Sequence, residues 1–181
     1  MRVIGGIYKH RHFEIPRTFK ARPTTDFAKE NLFNVLNNIM DLEEDVTALD
    51  LFAGTGSISI EMLSRGCNRV VSIEMDHKHA AFIRKVMETV KTEKNLLICG
   101  DVFKFLKSSH EKFDLIFADP PYDLKELDTL PGIIFSRQLL KPNGIFVLEH
   151  GKTNDFTETP HLIDQRHYGS VNFSIFKNEA E

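Results

Sequence analysis

Asp50-Leu51-Phe52-Ala53-Gly54-Thr55-Gly56 stands between an apolar run at 46–50 and a helical pattern at 57–64. Strand, glycine turn and helix in that order open a βαβ unit, in which a buried strand feeds directly into a crossover helix. Gly54 and Gly56 allow a tight turn and leave room for a ligand where a Cβ would collide. In a doubly wound sheet this strand end is where ligands bind. The Lys-Ser/Thr pair that a phosphate loop requires does not follow the glycines, so a phosphate loop is set aside.

Outward from the turn the alternation repeats. Strands are expected at 69–74, 95–99, 113–118 and 145–149, and helices at 76–90, 102–107 and 127–139, with a turn at Lys141-Pro142-Asn143-Gly144. Strands this apolar, separated by helices, belong in a parallel sheet covered on both faces. The last two, near 161–167 and 171–176, are joined only by Tyr168-Gly169-Ser170, too short a link for a parallel crossover, so they must be antiparallel. The fold predicted is α/β: a mostly parallel seven-stranded sheet with an antiparallel last strand.

Upstream, Phe27, Leu32, Phe33, Leu36 and Ile39 share a helical face, with Thr24 or Thr25 as its cap. Pro16 and Pro23 flank a loop at 17–22, and residues 2–15, with their Gly5-Gly6 pair, read as one or two short strands with a turn. Residues 1–20 are thus expected to form a hairpin appendage and 21–181 the main domain.

A chain of 181 residues with 41% hydrophobic and 27% charged side chains can bury a core without staples. No apolar run approaches the ~18 residues of a membrane span, and the opening residues are not a signal peptide, which together lead us to expect a cytoplasmic protein. Cys67 and Cys99 have no metal-like spacing and read as core thiols in a reducing compartment; no metal is expected. The net charge of −3 conceals an asymmetry. Residues 1–30 carry seven basic residues (Arg2, Lys9, Arg11, Arg17, Lys20, Arg22, Lys29) against three acidic ones, which suggests a phosphate-facing patch or simply a solvated terminus.

Glu74 closes the second core strand about 20 residues after the glycines, where its carboxylate can accept both ribose hydroxyls of a nucleoside. A nicotinamide dinucleotide would suit that acid equally. Asp101, past the third strand, could accept from an adenine amino group while Val102 touches the ring; the same Asp could merely cap the next helix. Phe52 lies inside the glycine turn. Met75 and Cys99 could line an adenine pocket, although both also suit the core.

Asp119-Pro120-Pro121-Tyr122 follows the fourth strand. Two prolines stiffen the backbone and remove two amide donors, leaving carbonyls free to accept. A carboxylate, rigid acceptors and an aromatic face together suit an exocyclic amine: Asp119 and the Pro120 carbonyl hold its N–H bonds and Tyr122 stacks on the base.

Arg22-Pro23-Thr24-Thr25-Asp26, Leu32-Phe33-Asn34-Val35-Leu36, the Asp50–Gly56 turn, Ser64-Arg65-Gly66, Asp119-Pro120-Pro121-Tyr122 and the leading Arg2-Val3-Ile4-Gly5-Gly6 together resemble the bacterial 16S ribosomal RNA guanine-N2 methyltransferase family, of the class I S-adenosylmethionine-dependent type. The resemblance spans nearly the whole chain. It implies S-adenosylmethionine as cofactor, held around Asp50, Gly54, Gly56, Glu74 and Asp101, and S-adenosylhomocysteine as product. It also implies a guanine received by Asp119 to Tyr122, an amino-terminal hairpin beside the site, and action on the assembled small subunit. Arg2, Lys9, Arg11, Arg17, Lys20 and Arg22 would position the RNA, and a monomer is expected. Phe27 and Lys29 occupy positions more often Arg in relatives, so RNA contact there would be weakened or displaced onto Lys20 or Arg22. The Asp-Pro-Pro-Tyr loop alone also fits a DNA adenine-N6 methyltransferase, and a noncatalytic RNA-binding assembly factor stays open at this point.

Overall fold

A computed structural model describes residues 1–180; residue 181, the last of the expected main domain, lies outside it. The order along the chain is α1 (Asp26–Ile39), β1 (Thr47–Leu51), α2 (Ser57–Ser64), β2 (Arg69–Glu74), α3 (His77–Thr89), β3 (Asn95–Cys99), α4 (Val102–Ser108) and β4 (Phe113–Ala118), followed by α5 (Leu130–Ser136), β5 (Leu140–His150), β6 (Leu162–Tyr168) and β7 (Val171–Lys177). The seven strands form one sheet in the order β3-β2-β1-β4-β5-β7-β6. The first five are parallel, and β7 runs antiparallel to both β5 and β6.

Alternate strand residues feed two cores. On one face Ala48, Val70, Leu115 and Val147 pack under α1, α2 and α3; on the other Leu49, Val71, Ile116 and Phe146 pack under α4 and α5. Helix starts follow local chemistry. Thr25 accepts from the Ala28 amide at 3.2 Å, and Asp76 accepts from Lys78 and His79 at the head of α3. Among the described residues no helix is long and apolar enough to cross a membrane.

Two segments differ from the sequence expectation. The helix expected at 127–139 is one 3-10 turn (Leu127–Thr129) and the two-turn α5. The turn at 141–144 does not precede β5 but bulges within it: Leu140 pairs with Phe113 and Ile145 with Leu115, so five positions on β5 match two on β4. Asn143 takes φ 62° there, and Gly144 packs where a Cβ would stand 2.8 Å from the Lys141 carbonyl oxygen.

The leader is joined by a single antiparallel bridge, Arg2 to His12, flanked by bonds from Val3 N–H to the Arg11 carbonyl and from His10 N–H to the Val3 carbonyl. Val3 is buried and joins the core beneath α1 and α2. Glu61 of α2 accepts the Ile4 and Gly5 amides at 3.0 and 2.9 Å. The first residues therefore lie on the body along α2.

Candidate active site

At the end of β1 the Ala53 amide still donates to the Ile73 carbonyl of β2, while Phe52 (φ 60°), Gly54 (58°) and Gly56 (75°) turn the chain through the left-handed region. A non-glycine residue there is strained, and such strain gathers at functional sites; the Phe52 ring is held edge-on against Phe103 at 6.3 Å. A Cβ on Gly56 would come within 3.0 Å of Ile83, so α3 leaves no room for one.

Glu74 is part of the same unit. Its carboxylate accepts the Gly54 amide at 2.6 Å and the Asp76 amide at 2.8 Å, tying the glycine turn to the end of β2. A carboxylate has about four acceptor positions, so about two remain open toward the cavity. Asp101 caps α4 through the Lys104 amide at 2.9 Å and also lines the cavity. Capping and ligand contact, which the sequence leaves as alternatives, are compatible here because the carboxylate has further acceptor positions.

Those residues form one end of a cavity of about 1170 Å³. It is lined by Phe52, Gly54, Glu74, Met75, Asp101 and Val102, and further along by Asp119, Pro120, Pro121 and Tyr122. Met75 is 67% exposed and Cys99 is exposed beside His77, its sulfur 3.3 Å from Nδ1, so neither belongs to the core; Cys67 does. Cys99 is the last residue of β3, the edge strand of the sheet, and Met75 follows its register partner Glu74 at the end of β2.

Asp50 is fully enclosed. It accepts from Ser59 Oγ at 2.5 Å, and Ser59 continues through Ser72 to Asn95. Burial pushes its carboxyl up to about 7. Asp119 is driven well above the usual carboxylate range by burial, then by the neighbouring charges of Glu149 and Asp50. The Pro121 carbonyl accepts from Leu124 and closes the loop.

Glu149 escaped the sequence reading. It is the last residue but one of β5, at the same end of the sheet, 5% exposed, and accepts the Tyr122 hydroxyl at 2.8 Å and the Thr24 hydroxyl at 3.5 Å. Burial raises its carboxyl, and those two hydroxyls partly offset the rise. Asking which strand ends carry acids would have found it.

Of the basic residues, Lys20 and Arg22 line the cavity mouth. Phe19 pins their loop, with its ring 4.5 Å from His79 and 5.5 Å from Phe82. Arg2 pairs with Asp26 at 2.9 Å, and Lys9, Arg11 and Arg17 are exposed away from the cavity wall. Lys29 corrects an expectation. It is 1% exposed and donates to the Arg2 carbonyl and Ser57, so its charge faces the interior rather than RNA. Phe27 is 64% exposed, edge-on to Tyr168.

The family model described as conserved hypothetical protein 95 matches residues 1–177. The Bacillus subtilis protein YlbH is 32% identical over 99% of this chain and 100% of its own. Ribosomal RNA small subunit methyltransferase D of Haemophilus influenzae is 30% identical over 98% of this chain and 94% of its own. Among solved structures, the Escherichia coli protein yhhF superposes with a TM-score of 0.86 at 26% identity, covering 100% of this chain and 99% of that one. With the glycine turn, Glu74 and the Asp119–Tyr122 loop opening on one cavity, the chain belongs to the conserved hypothetical protein 95 family and is an RsmD-like class I S-adenosylmethionine-dependent methyltransferase.

Proposed function

We propose that this chain methylates the exocyclic N2 amine of a guanine in 16S ribosomal RNA, acting in the cytoplasm as a monomer on the assembled small subunit. The observation that carries the reading is that the Asp119–Tyr122 loop and the Gly54–Glu74 unit open into one cavity. The relative named ribosomal RNA small subunit methyltransferase D supports the RNA as substrate.

When bound, S-adenosylmethionine supplies an electrophilic methyl group on a sulfonium and is released as S-adenosylhomocysteine. Glu74 would hold its ribose, Asp101 and Val102 its adenine, and the glycine turn would pass beside it. Asp119 and the Pro120 carbonyl accept the N–H bonds of the base amine and aim its nitrogen. Positioning of this kind is the main catalytic contribution, since an amine conjugated to a ring is a poor nucleophile unless oriented. Asp119, its carboxyl raised by burial, is suited to take the proton that the amine sheds. Tyr122, tethered through its hydroxyl, offers its ring to the base.

Residues 1–20 would serve as the RNA-facing leader and residues from 21 onward as the catalytic body. Lys20 and Arg22 stand nearest the cavity, with Arg2, Lys9, Arg11 and Arg17 contributing phosphate contacts that weaken with salt. A paired guanine must be flipped out, which costs a few kcal/mol that those contacts would offset.

The test is methyl transfer from labelled S-adenosylmethionine to purified undermethylated small subunits, followed by nucleoside analysis. Label in N2-methylguanosine is expected. Label in N6-methyladenosine or N4-methylcytidine, or none in the subunit RNA, overturns the proposal.

A further inference from the structure

The loop that receives the base amine has a second carboxylate beside it. Ala118 and Leu148 are the last register partners of β4 and β5, so Asp119 and Glu149 follow side by side on strands that run about 4.8 Å apart. Asp50, the last residue but one of β1, pairs with Phe117, and Phe117 pairs with Val147. With side chains alternating along a strand, Asp50, Asp119 and Glu149 therefore project to the same face of the sheet. Glu149 and Asp119 both line the cavity, and among the described residues neither joins an ion pair.

A buried carboxylate with no cation is costly unless donors satisfy it. Glu149 has two, Tyr122 on Oε1 and Thr24 on Oε2, which leaves about two of its four acceptor positions. The same pair of hydroxyls fixes the carboxylate in orientation. Tyr122 in turn is seated against Gly151, where a Cβ would lie 3.3 Å from its ring, so the glycine keeps the tyrosine within reach of Glu149.

We infer that Glu149 is a base-selecting residue, its carboxylate accepting the ring N1–H of guanine while Asp119 holds the adjacent N2 amine. This role rests on the proposed guanine-N2 reading. Guanine presents two neighbouring donors, N1–H and the N2 amine, to two neighbouring carboxylates. Adenine and cytosine present their amine beside a ring nitrogen whose lone pair would face Glu149 with no proton between them. A site built around a donor it expects to meet rejects analogues lacking that donor far more strongly than shape alone can.

The experiment locates the methylated guanine in the RNA, then reconstitutes small subunits carrying 2-aminopurine at that position. 2-Aminopurine keeps the 2-amine and replaces the N1–H donor with an acceptor. Wild type should favour guanine by at least ~100-fold in kcat/KM. Glu149→Gln, whose amide can turn its NH2 to the ring nitrogen, should narrow the preference to within ~10-fold, with unchanged affinity for S-adenosylhomocysteine. Equal loss on both bases overturns the assignment. So does indifference of the wild type to the two bases, whatever the variant does. Absence of N2-methylguanosine from wild-type reactions overturns the proposed function and this role together, whereas N2-methylguanosine with unaltered discrimination by Glu149→Gln overturns this role alone.

Discussion

Lys29 Nζ lies 3.5 Å from Glu61 Oε2, with the two side chains 1% and 0% exposed. Glu61 also takes the Ile4 and Gly5 amides and Arg65 Nε, so one buried carboxylate in α2 joins the leader, α1 and the end of its own helix. Removing it strands an ammonium and two amides. Glu61→Ala should destabilise the protein by about 3–5 kcal/mol in urea unfolding, because a partner charge is left buried alone. Lys29→Met combined with Glu61→Gln should lose less than the two single changes together. Strict additivity would show that the two groups do not interact.

Gly6 is where the leader crosses the end of α2. At φ 76°, a Cβ on it would stand 1.7 Å from the Ser64 carbonyl oxygen, and that oxygen accepts the Ile7 amide at 2.8 Å. Ser64 Oγ accepts from Tyr8 and donates to the Gly5 carbonyl. Gly6→Ala must therefore lift the leader. We expect faster amide exchange over residues 3–13 and RNA methylation lowered by roughly tenfold or more as phosphate contacts are misplaced. S-adenosylhomocysteine affinity should stay within about twofold, since a 1.4 kcal/mol change would be needed for tenfold. A parallel loss of both would mean that the leader supports the body rather than the RNA.

The core of the fold was readable because a parallel strand buried on both faces is a continuous apolar run, and 69–74 and 113–118 coincide with β2 and β4; 95–99 coincides with β3, an edge strand that is only partly buried. Features that depend on distant partners were not readable. A lysine is ordinarily exposed, and nothing near Lys29 in the chain announces Glu61. The Lys141–Gly144 bulge has the composition of a turn, and only pairing with β4 and with Asn178 distinguishes the two. Asp119 was legible because a double proline marks it. Glu149 stands near the end of an ordinary apolar strand, and its place beside Asp119 follows from sheet order rather than from local pattern.

Asp50 should make stability fall as pH rises. Its carboxyl titrates near 7 in the fold against 3.8 for the free side chain, so the folded state holds its proton more tightly than the unfolded state. That contribution is fully present below about pH 4 and is lost progressively as pH rises to about 7; at 1.36 kcal/mol per unit it amounts to about 4 kcal/mol. Asp50→Asn can keep an acceptor for Ser59 while removing the charge. Urea unfolding of the variant should lose most of this slope between about pH 4 and pH 7. An unchanged slope would assign the titration elsewhere.

The same electrostatics should separate cofactor from product. Asp50, Glu74, Asp119 and Glu149 line one cavity, and burial raises the carboxyls of Asp50, Asp119 and Glu149. Asp50, pushed up to about 7, loses its proton as pH rises through that value, so the cavity gains negative charge. S-adenosylmethionine carries a sulfonium cation and S-adenosylhomocysteine a neutral thioether, and the two are otherwise alike. One charge gained at about 8 Å, at an effective dielectric near 20, is worth about 2 kcal/mol to the cation and nothing to the thioether. The ratio of the two affinities should therefore rise roughly tenfold or more from about pH 5.5 to pH 8, after allowance for screening at the open cavity mouth. Titration calorimetry with both ligands across that range measures it, and Asp50→Asn should flatten the rise. A ratio that does not move with pH would place the sulfonium away from these carboxylates and against the neutral wall formed by Phe52, Pro120 and Tyr122.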